Sequence, residues 1–259
     1  MNWFEALVLG LIQGLTEFLP VSSSGHLEIA KSLFGVNTDT SFYFTIVVHG
    51  ATVLSTIVVF WKEILKLITG LFKFKQNEEI SYIFKILLSV IPVLIVGILL
   101  KDPIESLFNG NLLFVGLMLL VTSLLLALAH FLQGRAKSIG YRDAFIIGIA
   151  QAIAVIPGIS RSGFTIATGL LIGNKKDEIA RFSFLMVLIP VIGANILEMI
   201  SGDLSVNSTG FGILAIGFLA AFISGYVACR WMISLVRRSK LIWFSVYCAI
   251  IGLLSIILG

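Results

Sequence analysis

Charge is what this chain has least of. Only 12% of its 259 residues are Asp, Glu, Lys or Arg, against about a quarter in a soluble domain. That scarcity excludes an ordinary water-exposed globule. A hydrophobic content of 58% and a mean hydropathy of +1.05 point instead to an integral membrane protein. Cysteine is nearly missing as well: Cys229 and Cys248 lie in apolar stretches, which excludes a disulfide framework or a cysteine-based metal site and leaves two small packing residues. The amino terminus lacks the basic start, short apolar run and small-residue cleavage pattern of a secretory signal, so Met1 onward is expected to be mature chain. The formal charge of +4 does not imply nucleic acid, because the basic residues sit in short loops between apolar runs, where membrane orientation accounts for them.

What is present is a series of apolar runs of two lengths. Glu5 to Leu19 is helical but too short to span comfortably and stops at Pro20; after SSSG, His26 to Phe34 is short and helical again. Runs of spanning length follow at about Phe42 to Phe60, Tyr82 to Leu100 and Leu112 to Phe131. The same order then recurs. Ala144 to Ile156 stops at Pro157, GISRSG intervenes, Phe164 to Ile172 resumes, and spans are expected at Ala180 to Ile200, Phe211 to Cys229 and Leu241 to Leu258.

The recurrence holds residue by residue. Gly10 and Gly148, Gln13 and Gln151, and Gly25 and Gly163 are each 138 apart, and so are Asp39 and Asp177, and Phe44 and Phe182. Ser22, Ser23 and Ser24 fall on Ser160, Arg161 and Ser162 at that offset. The expected fold is an all-α polytopic membrane protein in one domain, with repeats at about 1–132 and 140–259. Each half is expected to be a re-entrant helical hairpin plus three transmembrane helices. Three crossings per half invert the second repeat, so that the two hairpin tips can meet near the midplane. With this topology fifteen of the eighteen basic residues fall on one side, from Lys62 to Lys240, while Lys31 and Lys101 fall on the other and Arg161 in the interior. The positive-inside rule then places the basic loops in the cytoplasm and both termini and the first hairpin's opening outside.

Two polar stretches stand out from the apolar text: QGLTEFLPVSSSGH, from Gln13 to His26, and PGISRSGFT, from Pro157 to Thr165. Polar groups at such depth need one another, water or a ligand. Arg161 can pair with Glu17 or offer a guanidinium fork to phosphate oxygens. Backbone amides of a helix starting near Phe164, together with Thr165, extend the same anion site. Gln13 and Glu17, four apart, project from one helical face. Glu17 can hold Arg161 or help to bind a metal carried mainly by substrate phosphates, in the way magnesium is usually held. Ser22, Ser23 and Ser24 offer a nucleophile or ordinary turn caps. His26 offers a base for serine or for water, or is itself the nucleophile. His49, His130, Asn195 and Glu198 are weaker candidates, and Trp3, Trp61 and Trp231 mark membrane interfaces.

These two stretches, the DTSF segment after the first and GLLIGNKKDEIARFSF after the second, resemble the bacterial undecaprenyl-diphosphate phosphatase family of the bacitracin-resistance type, along essentially the whole chain. The resemblance implies hydrolysis of undecaprenyl diphosphate to the monophosphate carrier of peptidoglycan synthesis, in the bacterial plasma membrane among membrane lipids. It assigns Glu17, Ser23 and His26 from the first motif and Ser160, Arg161 and Thr165 from the second; Ser22, Ser24 and Ser162 join them as expected phosphate-binding hydroxyls. The family often has Glu where Gln13 stands, so Gln13 is a supporting residue and Glu17 the possible metal ligand, for Mg2+ or Ca2+. Serine attack by Ser23 assisted by His26 is expected ahead of water activated by His26 and of attack by His26. A prenyl-phosphate flippase or transporter is the rival function, and the oligomeric state, a homodimer included, stays open.

Overall fold

The computed structural model describes residues 1–36, 38–73, 77–107, 110–132, 136–201, 210–238 and 240–258, without the side chains of 38–42, 101, 105 and 198–201. Asp39, Lys101 and Glu198, named above, therefore fall by their side chains outside the described residues. Every described element is a helix: α1 Trp3–Phe18, α2 Ser23–Phe34, α3 Thr38–Val59, α4 Trp61–Leu71, α5 Glu78–Leu99, α6 Lys101–Glu105, α7 Leu112–Phe131, α8 Tyr141–Ile153, α9 Arg161–Leu171, α10 Lys176–Ser201, α11 Phe211–Arg237 and α12 Ile242–Leu258.

Local chemistry sets these bounds. Asn2 caps α1 by accepting from the Phe4 and Glu5 amides at 2.9 Å, while Glu5 reaches back to the Asn2 amide. The helix stops at Leu19, held extended by the proline that follows it. Ser22 caps α2, which ends on Gly35 in the left-handed conformation. Ser160 caps α9 through the Gly163 amide at 3.1 Å. Gly158, at φ +90°, turns the chain just before it, with Val115 and Met118 of α7 packed so close that a side chain would collide with them.

Six full spans were expected. Among the described residues, α5, α7, α10 and α11 are long and apolar enough to cross a membrane, and α3 with α4 makes a fifth if the bent pair counts as one span. The apolar α12 has 17 residues, about 26 Å at 1.5 Å per residue, a little short of a hydrocarbon core roughly 30 Å thick. The 73° break between α3 and α4 was not expected. It falls at Phe60, where neither proline nor glycine interrupts the sequence, and it starts a helix whose exposed Trp61, Leu65, Ile68 and Leu71 alternate with Lys62 and Lys66, in the manner of an interfacial helix.

Small residues and hydroxyls join the helices, as they must where lipid tails remove the usual hydrophobic drive to associate. Gly10 of α1 meets Gly217 of α11, and Gly14 meets Ser224 and Gly225 further along it, so these two helices run parallel. Phe44 of α3 packs on the same Gly217, and Ser55 donates to the Phe222 carbonyl at 2.8 Å, so α3 runs in that direction too. It follows that α2, about 18 Å long, carries the chain back between two like-directed helices. Likewise Gly148 of α8 meets the Ser89 backbone of α5. The α7 and α12 helices are antiparallel: Gly116 faces Gly252, and Ser123 and Ser245 each donate to the other's carbonyl at 2.7 Å. Interhelical bonds of this kind contribute roughly 0.6–2 kcal/mol each.

Candidate active site

The turns that end α1 and α8 meet. Gly25 lies against Gly158, and Gly163 against Pro20; a side chain on either glycine would come 3.3 Å from the opposing carbon. The contact is stitched by Ser162, which donates to the Leu19 carbonyl at 3.1 Å. From outside it is braced by Thr122 of α7, which accepts from the Ser160 amide at 3.1 Å, and by Cys248 of α12, which donates to the Pro20 carbonyl at 3.5 Å. Cys248 is thus the packing residue expected, as is the fully buried Cys229.

Glu17, at the last turn of α1, is the hub of this junction. Its Oε2 accepts from the Ser23 hydroxyl at 2.7 Å and from the Gln13 amide at 3.0 Å, and its Oε1 faces the Arg161 guanidinium at 3.4 Å. The four-residue spacing of Gln13 and Glu17 thus does put them on one face. Ser23 and Arg161 occupy the first positions of α2 and α9, so each helix start delivers one functional group to a carboxylate on a third helix. The Ser23 bond has the length of a charge-assisted O–H···O⁻ contact. The carboxylate is mostly buried, 13% exposed, while Arg161 is 33% exposed and so open on one side.

That open side is a cavity between α1, α3, α9 and α10. Glu17, Arg161, Ser162, Thr52, Thr56 and Ser183 form its polar part, and Phe18, Val53, Phe184, Val187, Leu188 and Val191 its apolar part. Thr52, Thr56 and Ser183 were not singled out from the sequence. Thr52 and Thr56 spend their hydroxyl protons on backbone carbonyls of their own helix, at 2.8 and 3.0 Å, which turns oxygen lone pairs outward. The four-residue spacing of two threonines in an apolar span was the available signal.

The other expected groups are placed differently. Ser22 and Ser160 are buried caps that hold the Gly25 and Gly163 amides, and each lies 3.3 Å from a second serine hydroxyl, Ser24 and Ser162 respectively. Thr165 donates to the Arg161 carbonyl at 2.8 Å and pairs with Ser183 at 2.6 Å, so it props the start of α9 from within. His26 does not hydrogen-bond Ser23. Its Nδ1 is 2.8 Å from the Ser22 carbonyl and its Nε2 is 2.8 Å from the Tyr247 hydroxyl of α12. The group beside the Ser23 hydroxyl is therefore Glu17, a pairing that needs the α1–α2 turn folded back and could not be read from spacing. His49 binds the Thr45 carbonyl through Nδ1, one turn before Thr52, and Asn195 bonds the Val191 carbonyl. The His130 ring packs edge-on against Phe131.

For a cation, the site offers the Glu17 carboxylate and the Gln13 Oε1, which is buried without a hydrogen-bond partner. No group of three His, Cys, Asp or Glu among the described residues is arranged to hold a metal unaided. Two oxygen donors suit an ion that takes its remaining ligands from phosphate and water.

A model of the family described as bacitracin resistance protein BacA matches residues 6–254. This chain belongs to the BacA family. Among its relatives, proteins named undecaprenyl-diphosphatase from Christiangramia forsetii and Parabacteroides distasonis are each 55% identical to it, over 99% of this chain and 98% of theirs. One of the same name from Methanosphaera stadtmanae is 38% identical over the whole of this chain and 99% of its own. The match spans both polar stretches, Gln13 to His26 and Pro157 to Thr165.

Proposed function

We propose that this protein is an undecaprenyl-diphosphatase, a phosphoric anhydride hydrolase that returns the lipid carrier of peptidoglycan synthesis to its monophosphate form. One observation carries the reading: the Ser23 hydroxyl and the Arg161 guanidinium meet on the Glu17 carboxylate, and Glu17 and Arg161 line the polar part of a cavity whose remaining wall is apolar. A prenyl diphosphate has the same two-part chemistry, and the relatives' name is the same activity. In this scheme Arg161 exchanges its contact with Glu17 for the diphosphate oxygens. Ser23 Oγ attacks the terminal phosphorus while its proton passes to Glu17, and the bond from that phosphorus to the bridging oxygen breaks. Undecaprenyl phosphate leaves with the electron pair. Water then attacks the seryl phosphorus, the bond to Ser23 Oγ breaks as Glu17 returns its proton to that oxygen, and inorganic phosphate leaves carrying the water's oxygen and protons. Arg161 stabilises the charge spread over the transferring oxygens. Gln13 and Glu17 would hold a divalent cation, Mg2+ or Ca2+, which offsets phosphate charge when bound.

Glu17 thus takes the proton-accepting place beside Ser23, and His26 shapes the turn that presents the serine. Ser22, Ser24, Ser160, Ser162 and Thr165 act as caps and props that aim the two helix starts at the phosphates. The architecture we infer is an inverted repeat with two re-entrant hairpins. Its supports are the 138-residue correspondence, the reciprocal tip contacts, the like direction of α1 and α3, and the antiparallel seam of α7 and α12, which are equivalent helices of the two halves. The basic loops then lie in the cytoplasm and the site opens to the exterior of the plasma membrane. All groups of the scheme come from one chain, so a homodimer is compatible with it and not required.

The test is phosphate release from undecaprenyl diphosphate by purified protein in detergent with Mg2+ or Ca2+. Absence of release together with lipid transfer across vesicle membranes would instead establish the flippase, whose architecture the inverted repeat shares.

A further inference from the structure

The strongest group left unused is an aromatic hydroxyl. Tyr247, in the second turn of α12, stacks its ring on that of His26, with centroids 5.5 Å apart and planes 11° from parallel, and its hydroxyl lies 2.8 Å from Nε2. The other ring nitrogen, Nδ1, is 2.8 Å from the Ser22 carbonyl. A carbonyl only accepts, so Nδ1 carries a proton, and in the neutral ring Nε2 accepts from Tyr247. Ser22 in turn is the one described residue other than glycine at positive φ, +69°, a conformation that costs about 1–3 kcal/mol and persists only where its surroundings hold it. The imidazole is part of that hold, and Ser22 immediately precedes Ser23.

We propose that Tyr247 is a positioning residue for the reaction: it holds the plane of His26, whose Nδ1–H pins the Ser22 carbonyl and so presents Ser23 to Glu17. The inference rests on the phosphatase reading and adds a residue from the last helix to it. Ring stacking and the hydroxyl's bond to Nε2 both hold the imidazole plane, and the two contributions separate by substitution. Tyr247→Phe keeps the ring, which is 40% exposed, and removes only the hydroxyl, leaving the packing of α12 intact.

The experiment measures kcat and KM on undecaprenyl diphosphate for Tyr247→Phe and His26→Ala, and 15N spectra of histidine-labelled wild type and Tyr247→Phe, with His26→Ala assigning the signal. The expected result is a roughly 10-fold lower kcat for Tyr247→Phe at unchanged KM, with the His26 Nε2 signal shifting as it loses its hydrogen-bond donor while Nδ1 stays protonated. Wild-type kcat in Tyr247→Phe alongside a slow His26→Ala overturns the role of Tyr247 alone. A lower kcat with an unmoved His26 signal overturns it too, since the effect would then bypass the imidazole. Wild-type turnover in His26→Ala overturns the role of His26 and that of Tyr247 with it. Absence of phosphate release from the wild type overturns the phosphatase reading itself.

Discussion

Replacing Glu17 by Gln removes one charge and almost no volume, which makes it the most discriminating change at the junction. In the native arrangement the carboxylate accepts from Ser23 at 2.7 Å, from Gln13 at 3.0 Å and from Arg161 at 3.4 Å. The amide presents one acceptor and one donor group to three donors. Either Gln13 or Arg161 must then face an N–H, and Ser23 loses its proton acceptor. Loss of a general base costs about 10²- to 10⁴-fold in rate. The stability cost is smaller: a fully buried pair that loses one partner costs roughly 3–5 kcal/mol, whereas Arg161 is one third exposed, so about 1–2 kcal/mol is expected. Substrate binding is predicted to hold or tighten, because Arg161 no longer has an internal carboxylate competing with the diphosphate. Steady-state kinetics on undecaprenyl diphosphate should show kcat lowered about 10²- to 10⁴-fold and KM unchanged or reduced. A Glu17→Gln enzyme within about threefold of wild-type kcat would refute the assignment of the proton to Glu17.

Arg161→Lys keeps the charge but loses the planar fork, so phosphate release should fall at least 10-fold, about 1.4 kcal/mol, while folding by size exclusion is retained; undiminished turnover would reduce Arg161 to a counter-ion for Glu17. Gly158→Ala forces a side chain into positive φ and against the Val115 carbonyl, so thermal unfolding in detergent should show a loss of about 2–4 kcal/mol. Chelation of divalent cations should abolish phosphate release and addition of Mg2+ or Ca2+ should restore it, with unchanged activity in chelator counting against any cation at Gln13 and Glu17.

Much of the fold was legible because its punctuation is chemical. Pro20, Pro157 and the serine caps stop and start four short helices within a few residues of where sequence reasoning put them, and Gly35 closes α2 in the left-handed conformation. The α3–α4 bend was not legible, since Phe60 breaks the helix without a residue that favours a break. The pairing of Glu17 with Arg161 could be anticipated from the cost of leaving either alone in hydrocarbon. Its finer partners could not. Ser23 and His26 are three apart on one helix, yet the serine faces α1 while the histidine folds back onto Ser22 and α12. Thr52 and Thr56 reach the cavity from an apolar span in which their four-residue spacing was the one signal, and Ser183 carried none. The hydroxyls of the two loops looked alike as phosphate ligands, and the structure divides them: Ser23 faces Glu17, while Ser22 and Ser160 are spent as caps.

The central claim is that Ser23 carries the phosphoryl group, and trapping that group tests it most directly. Enzyme mixed with undecaprenyl diphosphate labelled in its terminal phosphate, quenched within a single turnover and digested, should yield a labelled phosphoserine at position 23 that forms and decays at rates matching turnover. Full single-turnover phosphate release by Ser23→Ala, with no labelled serine in the wild type, would contradict the account and transfer the attack to water or to His26.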